Sequence, residues 1–253
     1  MRVLLLGGST EASALARLLA ADARFNAVLS LAGRTASPLT QPVEVRIGGF
    51  GGAQGLARYL QSGRIDCLID GTHPFAARMS RNAIEAARMT GVPLLALERP
   101  AWQKQPEDRW IEVPDIRSAV EALGARPCTV FSGIGSLALA DLRQAPQHRY
   151  IIRLIDLPAQ PLDLPHTGII QARGPFSTEG DIRLFRDHGV AVVLAKNSGG
   201  EATVSKIEAA RILGLPVVMV SRPYIPSRPC VPNAQDAMKW LADHYEAPAE
   251  RGV

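Results

Sequence analysis

The sequence predicts an α/β protein with two mainly parallel sheets, and three observations carry that reading. Short apolar runs of Val, Leu, Ile and Ala alternate with helical patterns along almost the whole chain. Glycine-rich loops follow several of the runs and open the next helical stretch. Only 5% of the 253 residues are aromatic while 47% are hydrophobic, which suits helix–sheet layers better than a β-sandwich.

The elements follow in order. Val3–Leu6 reads as a strand and Thr10 to Ala21 as a helix. Ala27–Leu31 is a second strand. Val43–Ile47 is a short one before Gly48-Gly49-Phe50-Gly51-Gly52, and a helix covers Ala53 to Ser62. Cys67–Asp70 is a strand, Pro74 to Met89 a helix stopped by Gly91 and Pro93, and Leu94–Leu97 the next strand. Such alternation implies right-handed βαβ units. Around Arg99–Arg109 the pattern breaks into Pro, Trp and charged residues, which marks a boundary.

The rhythm then restarts. Helices are predicted over Ser118–Leu123, Leu137–Gln144, Thr178–His188, Thr203–Leu213 and Asn233–Tyr245. Strands are predicted at Thr129–Phe131, Tyr150–Leu154, Ile169–Ala172, Ala191–Ala195 and Val217–Val220. The expected architecture is two Rossmann-like domains, residues 1–98 and 99–253. The loops after Leu6 and after Phe131 stand at equivalent positions, and the tail after Pro248 is expected to be disordered.

Composition excludes several classes. The three cysteines, Cys67, Cys128 and Cys230, are far apart and form no C-x-x-C, so neither a disulfide framework nor a zinc site is expected. The start is too soon broken for a signal peptide, and no apolar run nears the ~20 residues of a membrane helix. A cytoplasmic protein off the membrane is expected. The net charge is +4, and of 28 basic residues only four are lysines. Arg forks suit carboxylates and phosphates. The arginines form no basic block with aromatics, which argues against nucleic acid. The H-E-x-x-H, G-x-S-x-G and P-loop patterns are absent.

Four segments carry chemistry. Ala191–Ala195 runs through Lys196 into Asn197-Ser198-Gly199-Gly200, a strand–loop–helix junction that aims backbone N–H groups at an anion. Gly7-Gly8-Ser9-Thr10-Glu11 leaves the first strand and opens a helix, the usual dinucleotide position, although the full G-x-G-x-x-G is missing. Gly33-Arg34-Thr35 ends the second strand with a cation where an NAD site holds an acid, which suits the 2′-phosphate of NADPH. Asp70-Gly71-Thr72-His73-Pro74 lies at the end of another strand. Pro74 fits a first helical turn there, and His73 stands at the ligand edge.

Together these segments resemble the precorrin-6A reductase family of cobalamin biosynthesis. The resemblance rests on VLLLGGSTE, SLAGRT, VRIGGFGG ending at Gly52, DGTHPFA at Asp70–Ala76, and Arg99-Pro100-Ala101-Trp102. It continues through ARGPF at Ala172–Phe176, AKNSGGEATVSKIEAAR at Ala195–Arg211, and VVMVSRP at Val217–Pro223. It implies two Rossmann-like domains with ligands in the cleft between them, and an NADPH-dependent oxidoreductase that reduces one macrocyclic C=C bond, giving precorrin-6B, without metal or flavin. Hydride would reach the carbon between rings D and A.

The resemblance also implies roles by position. Gly7, Gly8, Ser9 and Thr10 would hold the pyrophosphate, and Gly33, Arg34 and Thr35 the ribose phosphate. Asp70, Thr72, His73 and Pro74 would border the cofactor's reactive end. Lys196, Asn197, Ser198, Gly199 and Gly200, with Arg173 and Arg222, would face the polycarboxylate tetrapyrrole. Lys196 or His73 could donate the proton, with solvent a third source. Transient contact with neighbouring pathway enzymes is implied as well. Family members commonly carry Ala where Gly71 stands, a change expected to be tolerated. They often carry a Thr-Gly-Arg-like loop where this chain has Ser132-Gly133-Ile134-Gly135-Ser136. Rival readings are reduction of the cobalt-containing ring and a non-catalytic NADPH-binding protein. A methyltransferase is disfavoured by Arg34.

Overall fold

The computed structural model describes residues 1–33, 39–158, 160 and 162–246. The chain forms two compact units, Met1–Pro100 with Tyr224–Val253, and Ala101–Pro223. In chain order the first unit contributes β1 (Arg2–Leu6), α1 (Thr10–Ala20), β2 (Asn26–Leu31), β3 (Glu44–Ile47), α2 (Gly52–Ser62), β4 (Cys67–Asp70), α3 (Ala77–Thr90) and β5 (Leu94–Leu97). The second holds β6 (Arg109–Val113), α4 (Ile116–Ala122), β7 (Thr129–Ser132), α5 (Leu139–Leu142), β8 (Arg149–Leu154), β9 (Thr167–Gln171), α6 (Thr178–His188), β10 (Val192–Lys196), α7 (Ser205–Ile212) and β11 (Pro216–Val220). The chain then returns to the first unit with β12 (Cys230–Val231) and α8 (Ala234–Glu246).

Both sheets are parallel throughout, with the orders β3-β2-β1-β4-β5-β12 and β9-β8-β7-β10-β11-β6. The two orders are equivalent except at the sixth position. The first sheet takes that strand from the end of the chain. The second takes it from β6, which precedes β7 in the chain. Each order reverses once, between β1 and β4 and between β7 and β10, and such a reversal is where α/β sheets bind ligands.

The strands are apolar runs because both faces are covered. Along β1, Val3 and Leu5 face α1 and α8, where Leu15, Leu19, Ala237 and Leu241 complete one core. Leu4 and Leu6 face the other way, onto Leu56, Leu60, Ala83 and Ala86. In the second unit Phe131, Val193, Ala195 and Val217 meet Phe185, Ile207 and Ala210. A buried ion pair crosses this unit. Arg153 binds Asp181, whose second oxygen accepts from the Ser205 hydroxyl at 2.7 Å. The Arg153 guanidinium lies over the Phe131 and Phe176 rings at 4.7 and 4.0 Å.

Several expectations need correction. The second domain does not run from 99 to 253, because the segment from Tyr224 onward belongs to the first unit. Its strand is two residues long, too short for periodicity, and the apolar face of α8 packs on α1. β6 was unforeseen because it is a sheet-edge strand with Trp110 buried and Ile111 46% exposed. The helix expected from Pro74 starts at Ala77. Pro74 sits in a preceding turn closed by the Ala76 N–H on the His73 carbonyl at 2.7 Å. The helix expected over Leu137–Gln144 is a 3-10 turn followed by the single-turn α5, and α7 is likewise preceded by a 3-10 turn at Glu201–Thr203. The tail after Pro248 lies outside the described residues.

Candidate active site

At the carboxyl edge of the first sheet, the loops leaving β1 and β4 stand side by side. The Gly7 N–H donates to the Ser30 carbonyl and the Gly71 N–H to the Leu6 carbonyl, both at 2.9 Å. A Cβ on Gly7 would stand 2.7 Å from Leu29 Cδ1 and 2.9 Å from Leu31 Cδ2, so a larger residue would have to displace both leucines. Gly8 has φ +132°, and a Cβ there would point into the gap beside the β4 loop, 3.8 Å from the His73 nitrogen. Ser9 caps α1, accepting from the Ala12 N–H at 3.1 Å, and its hydroxyl donates to the Gly71 carbonyl at 2.8 Å. Arg99 reaches the same helix start, donating to Glu11 at 2.8 Å and Thr10 at 3.3 Å. The Glu11 charge is thereby offset, and the positive end of α1 suits a phosphate.

Asp70 is buried beneath the loop. Only 2% exposed, its Oδ1 accepts from the Thr72 hydroxyl at 2.7 Å and its Oδ2 lies 3.6 Å from Arg228 Nη2. Arg228 also donates to Glu98 at 2.9 Å. The expected cofactor contact is thus a buried brace beneath the loop. Thr72 and His73 remain partly exposed above it, and Pro74 is buried. His73 Nδ1 accepts from the Phe75 N–H at 3.2 Å, which places the proton of the neutral ring on Nε2.

Gly33 follows β2 with φ +70°. Arg34 and Thr35 lie outside the described residues. A cation that the sequence reading missed stands at this edge. Arg46 donates to the carbonyls of Gly48 and Gly49 and to Ser30 Oγ, and lies 3.9 Å over the Phe50 ring.

The second reversal point holds the Lys196–Gly200 loop. Asn197 is partly exposed and paired with Trp102. Its Oδ1 accepts from the Trp102 N–H at 2.8 Å and its Nδ2 donates to the Trp102 carbonyl at 3.0 Å. Arg222 is turned onto the loop as well, donating to the carbonyls of Asn197 and Ser198 at 3.0 and 3.1 Å. In a trans peptide the C=O and N–H point opposite ways. The Gly199 N–H is therefore directed away from Arg222. The Gly200 carbonyl accepts from the Trp102 indole at 3.0 Å, so the Glu201 N–H points away from the indole. Gly199 and Gly200 have φ of 68° and 79°, a region that favours glycine.

Ser198 is buried and Lys196 partly exposed at the end of β10. Arg173 is exposed, in a segment that meets the loop's far side where the Phe176 N–H donates to the Ala202 carbonyl at 3.4 Å. Buried Lys206 lies under the Ser132–Ser136 loop. Its Cδ is 3.2 Å from where a Gly133 Cβ would stand, and its ammonium is 4.7 Å over the Trp102 ring. Trp102, Lys206, Arg99 and Arg228 are the residues that sequence reasoning left without a role. Arg99 and Trp102 were visible only as a motif. Lys206 stood inside the Ala195–Arg211 segment without a role of its own, and Arg228 gave no local signal.

Among the described residues, no group of three or more His, Cys, Asp or Glu could hold a metal. No helix among them is long and apolar enough to cross a membrane.

Residues 2–242 match the family model described as Precorrin-6x reductase CbiJ/CobK. The precorrin-6A reductase of Rhodobacter capsulatus is 50% identical over 252 residues, covering 100% of this chain and 99% of that protein. A cobalt-precorrin-6A reductase of Priestia megaterium is 31% identical, covering 88% of this chain and 91% of its own. A solved structure, CobK precorrin-6A reductase, superposes with a TM-score of 0.92 at 50% identity, over 96% of this chain and 97% of that one. The chain therefore belongs to the precorrin-6x reductase CbiJ/CobK family.

Proposed function

We propose that this chain catalyses the NADPH-dependent reduction of one C=C bond of precorrin-6A, giving precorrin-6B in cobalamin biosynthesis. The observation that carries the reading is the end-to-end likeness to the Rhodobacter capsulatus reductase. The first reversal point supports it, because the Gly7–Ser9 turn and the start of α1 fit a dinucleotide pyrophosphate. Gly7, Gly8, Ser9 and Thr10 would hold that group. Gly33, Arg34 and Thr35, with Arg46 nearby, would hold the ribose phosphate. Thr72, His73 and Pro74 would border the nicotinamide, with Asp70 bracing Thr72 from below.

When bound, the cofactor supplies a hydride. The chain's residues bind, orient and protonate. Lys196 and the N–H groups of Gly199 and Glu201 take carboxylates of the macrocycle, with Arg173 at the rim. Lys196 would donate the proton to the carbon beside the one that takes the hydride. His73 is the alternative donor. Positioning of this kind can supply several kcal/mol of the barrier reduction.

The metal-free ring is favoured over the cobalt ring because the precorrin-6A reductase reported above is more similar to the chain than the cobalt-precorrin-6A reductase. The deciding experiment is anaerobic turnover of purified precorrin-6A, followed by loss of reduced-nicotinamide absorbance, with NADH and cobalt-precorrin-6A in parallel. NADPH oxidation with the metal-free ring is expected. Turnover of the cobalt ring alone would reassign the substrate, and NADPH binding without turnover of either would leave a binding protein. The same reading has the enzyme working in the cytoplasm, in transient contact with enzymes before and after it in the pathway.

A further inference from the structure

The Lys196–Gly200 loop is rich in glycine, so its peptide planes are cheap to flip. An anion site needs those planes held before the ligand arrives. In this unit the hold comes from two residues at the ends of one chain segment. Trp102 is the second residue after the chain enters the unit at Ala101, and Arg222 is the last but one before it leaves at Pro223. Trp102 pairs both ways with the Asn197 amide, as one strand pairs with another, and its indole N–H takes the Gly200 carbonyl. Arg222 takes the two carbonyls between. Lys206 covers the Trp102 ring, and its stem packs against the neighbouring Gly133 turn.

We propose that Trp102 is a positioning residue for the substrate site. Through the Gly200 carbonyl it fixes the plane that aims the Glu201 N–H at a carboxylate, and through the Asn197 amide it anchors the start of the loop in which Arg222 holds the plane of the Gly199 N–H. The proposal rests on the assignment of this loop to the tetrapyrrole. It adds that a residue at the entry to the unit sets the loop's affinity for that ligand. Trp102→Phe keeps an aromatic ring over Lys206 and removes the indole donor. Asn197→Ala removes the two-way pairing and leaves the tryptophan packed.

The test has two arms on the full chain. Hydrogen–deuterium exchange of the ligand-free protein reads the loop directly, and both variants should raise exchange over residues 196–204 while α6 and β8 keep their protection. Steady-state kinetics reads function. The KM for precorrin-6A should rise about tenfold, the loss of roughly one hydrogen bond, while the KM for NADPH stays within about twofold. Unchanged loop exchange in both variants overturns the proposal. So does a tetrapyrrole KM that stays put or moves only together with the cofactor KM. If the wild-type chain reduces neither ring, the assigned function falls and the exchange arm alone decides the role of Trp102.

Discussion

Ser9 and Gly71 join the two loops of the first reversal point, the Ser9 hydroxyl donating to the Gly71 carbonyl at 2.8 Å while accepting from the Ala12 N–H. One side chain thus caps α1 and fixes the spacing of the loops around the proposed cofactor. Ser9→Ala should lower stability by about 1–2 kcal/mol, the usual loss of a helix cap. It should also raise the KM for NADPH while leaving that for the tetrapyrrole unchanged. Denaturant unfolding and two-substrate kinetics check the two halves. A stable variant with unchanged cofactor KM would remove Ser9 from the site.

Gly71 is more constrained than the family resemblance implies. A Cβ there would stand 2.9 Å from Ala12 Cβ, 3.1 Å from the Leu6 carbonyl and 3.3 Å from Leu5 Cδ1. The two nearest are a Cβ and a backbone oxygen, which cannot swing aside, so Gly71→Ala should destabilise by about 1–3 kcal/mol through overpacking. Adding Ala12→Gly relieves the closest contact. The double variant should recover part of the loss despite the roughly 1 kcal/mol helix penalty of the new glycine. Strict additivity in a double-mutant cycle would refute the clash.

Asp181 holds the buried Arg153 and Ser205 together. Asp181→Ala leaves the guanidinium buried without its carboxylate and should cost about 3–5 kcal/mol. Asp181→Asn keeps hydrogen-bonding atoms in place and should cost less. Equal losses in the two, measured in urea, would mean that the charge plays no part.

Lys196 can bind a carboxylate or donate a proton, and kinetics separates the two. With Lys196 as donor, Lys196→Met should lower kcat by about 100-fold or more and abolish the alkaline limb of the pH–rate profile. A raised tetrapyrrole KM with kcat intact would restrict Lys196 to binding and move the proton to His73. His73→Gln, assayed beside it, completes the comparison.

The alkaline limit of the fold follows from two buried acids. Burial pushes the Tyr150 phenol, which donates to the Ala145 carbonyl at 2.9 Å, up to about 12 from 10.0. It pushes the Cys67 thiol up to about 11 from 9.0. Above these ordinary values the unfolded chain releases protons that the folded chain retains. Stability is therefore fully present below pH 9.0, declines above it, and is lost as pH rises through the folded values. The limiting slope is about 1.4 kcal/mol per pH unit for each group. Tyr150→Phe should be less stable at neutral pH, lacking the hydrogen bond, yet lose less on going alkaline. A wild-type slope kept in that variant would exclude Tyr150 as the source.

Much of the candidate site was legible because ligand loops in α/β folds sit at strand ends. Gly7–Thr10, Thr72–Pro74 and Lys196–Gly200 could be located from an apolar run followed by glycine and hydroxyl residues. What those side chains do was less legible. Asp70, Asn197 and Arg222 looked like ligand contacts, but their polar atoms hold Thr72, Trp102 and the loop carbonyls. A motif records that a polar residue stands at a loop. It does not record whether the side chain points at the ligand or at the backbone beneath it.

By itself, the sequence determined the α/β class, the two repeated units and the strands of each sheet interior, since a strand covered on both faces must be apolar along its length. Tertiary structure decided the rest. The sixth strand of each sheet, β6 and β12, is an edge element that is short or one-sided, so its partner sheet is set by packing and not by periodicity. The return of Tyr224 onward to the first unit, the Arg228 brace under Asp70 and the Trp102 clamp on Asn197 all join residues about a hundred or more apart in the chain. No local pattern encodes such contacts. They exist because burial brings the partners together, and a buried polar group then requires a hydrogen-bonding mate.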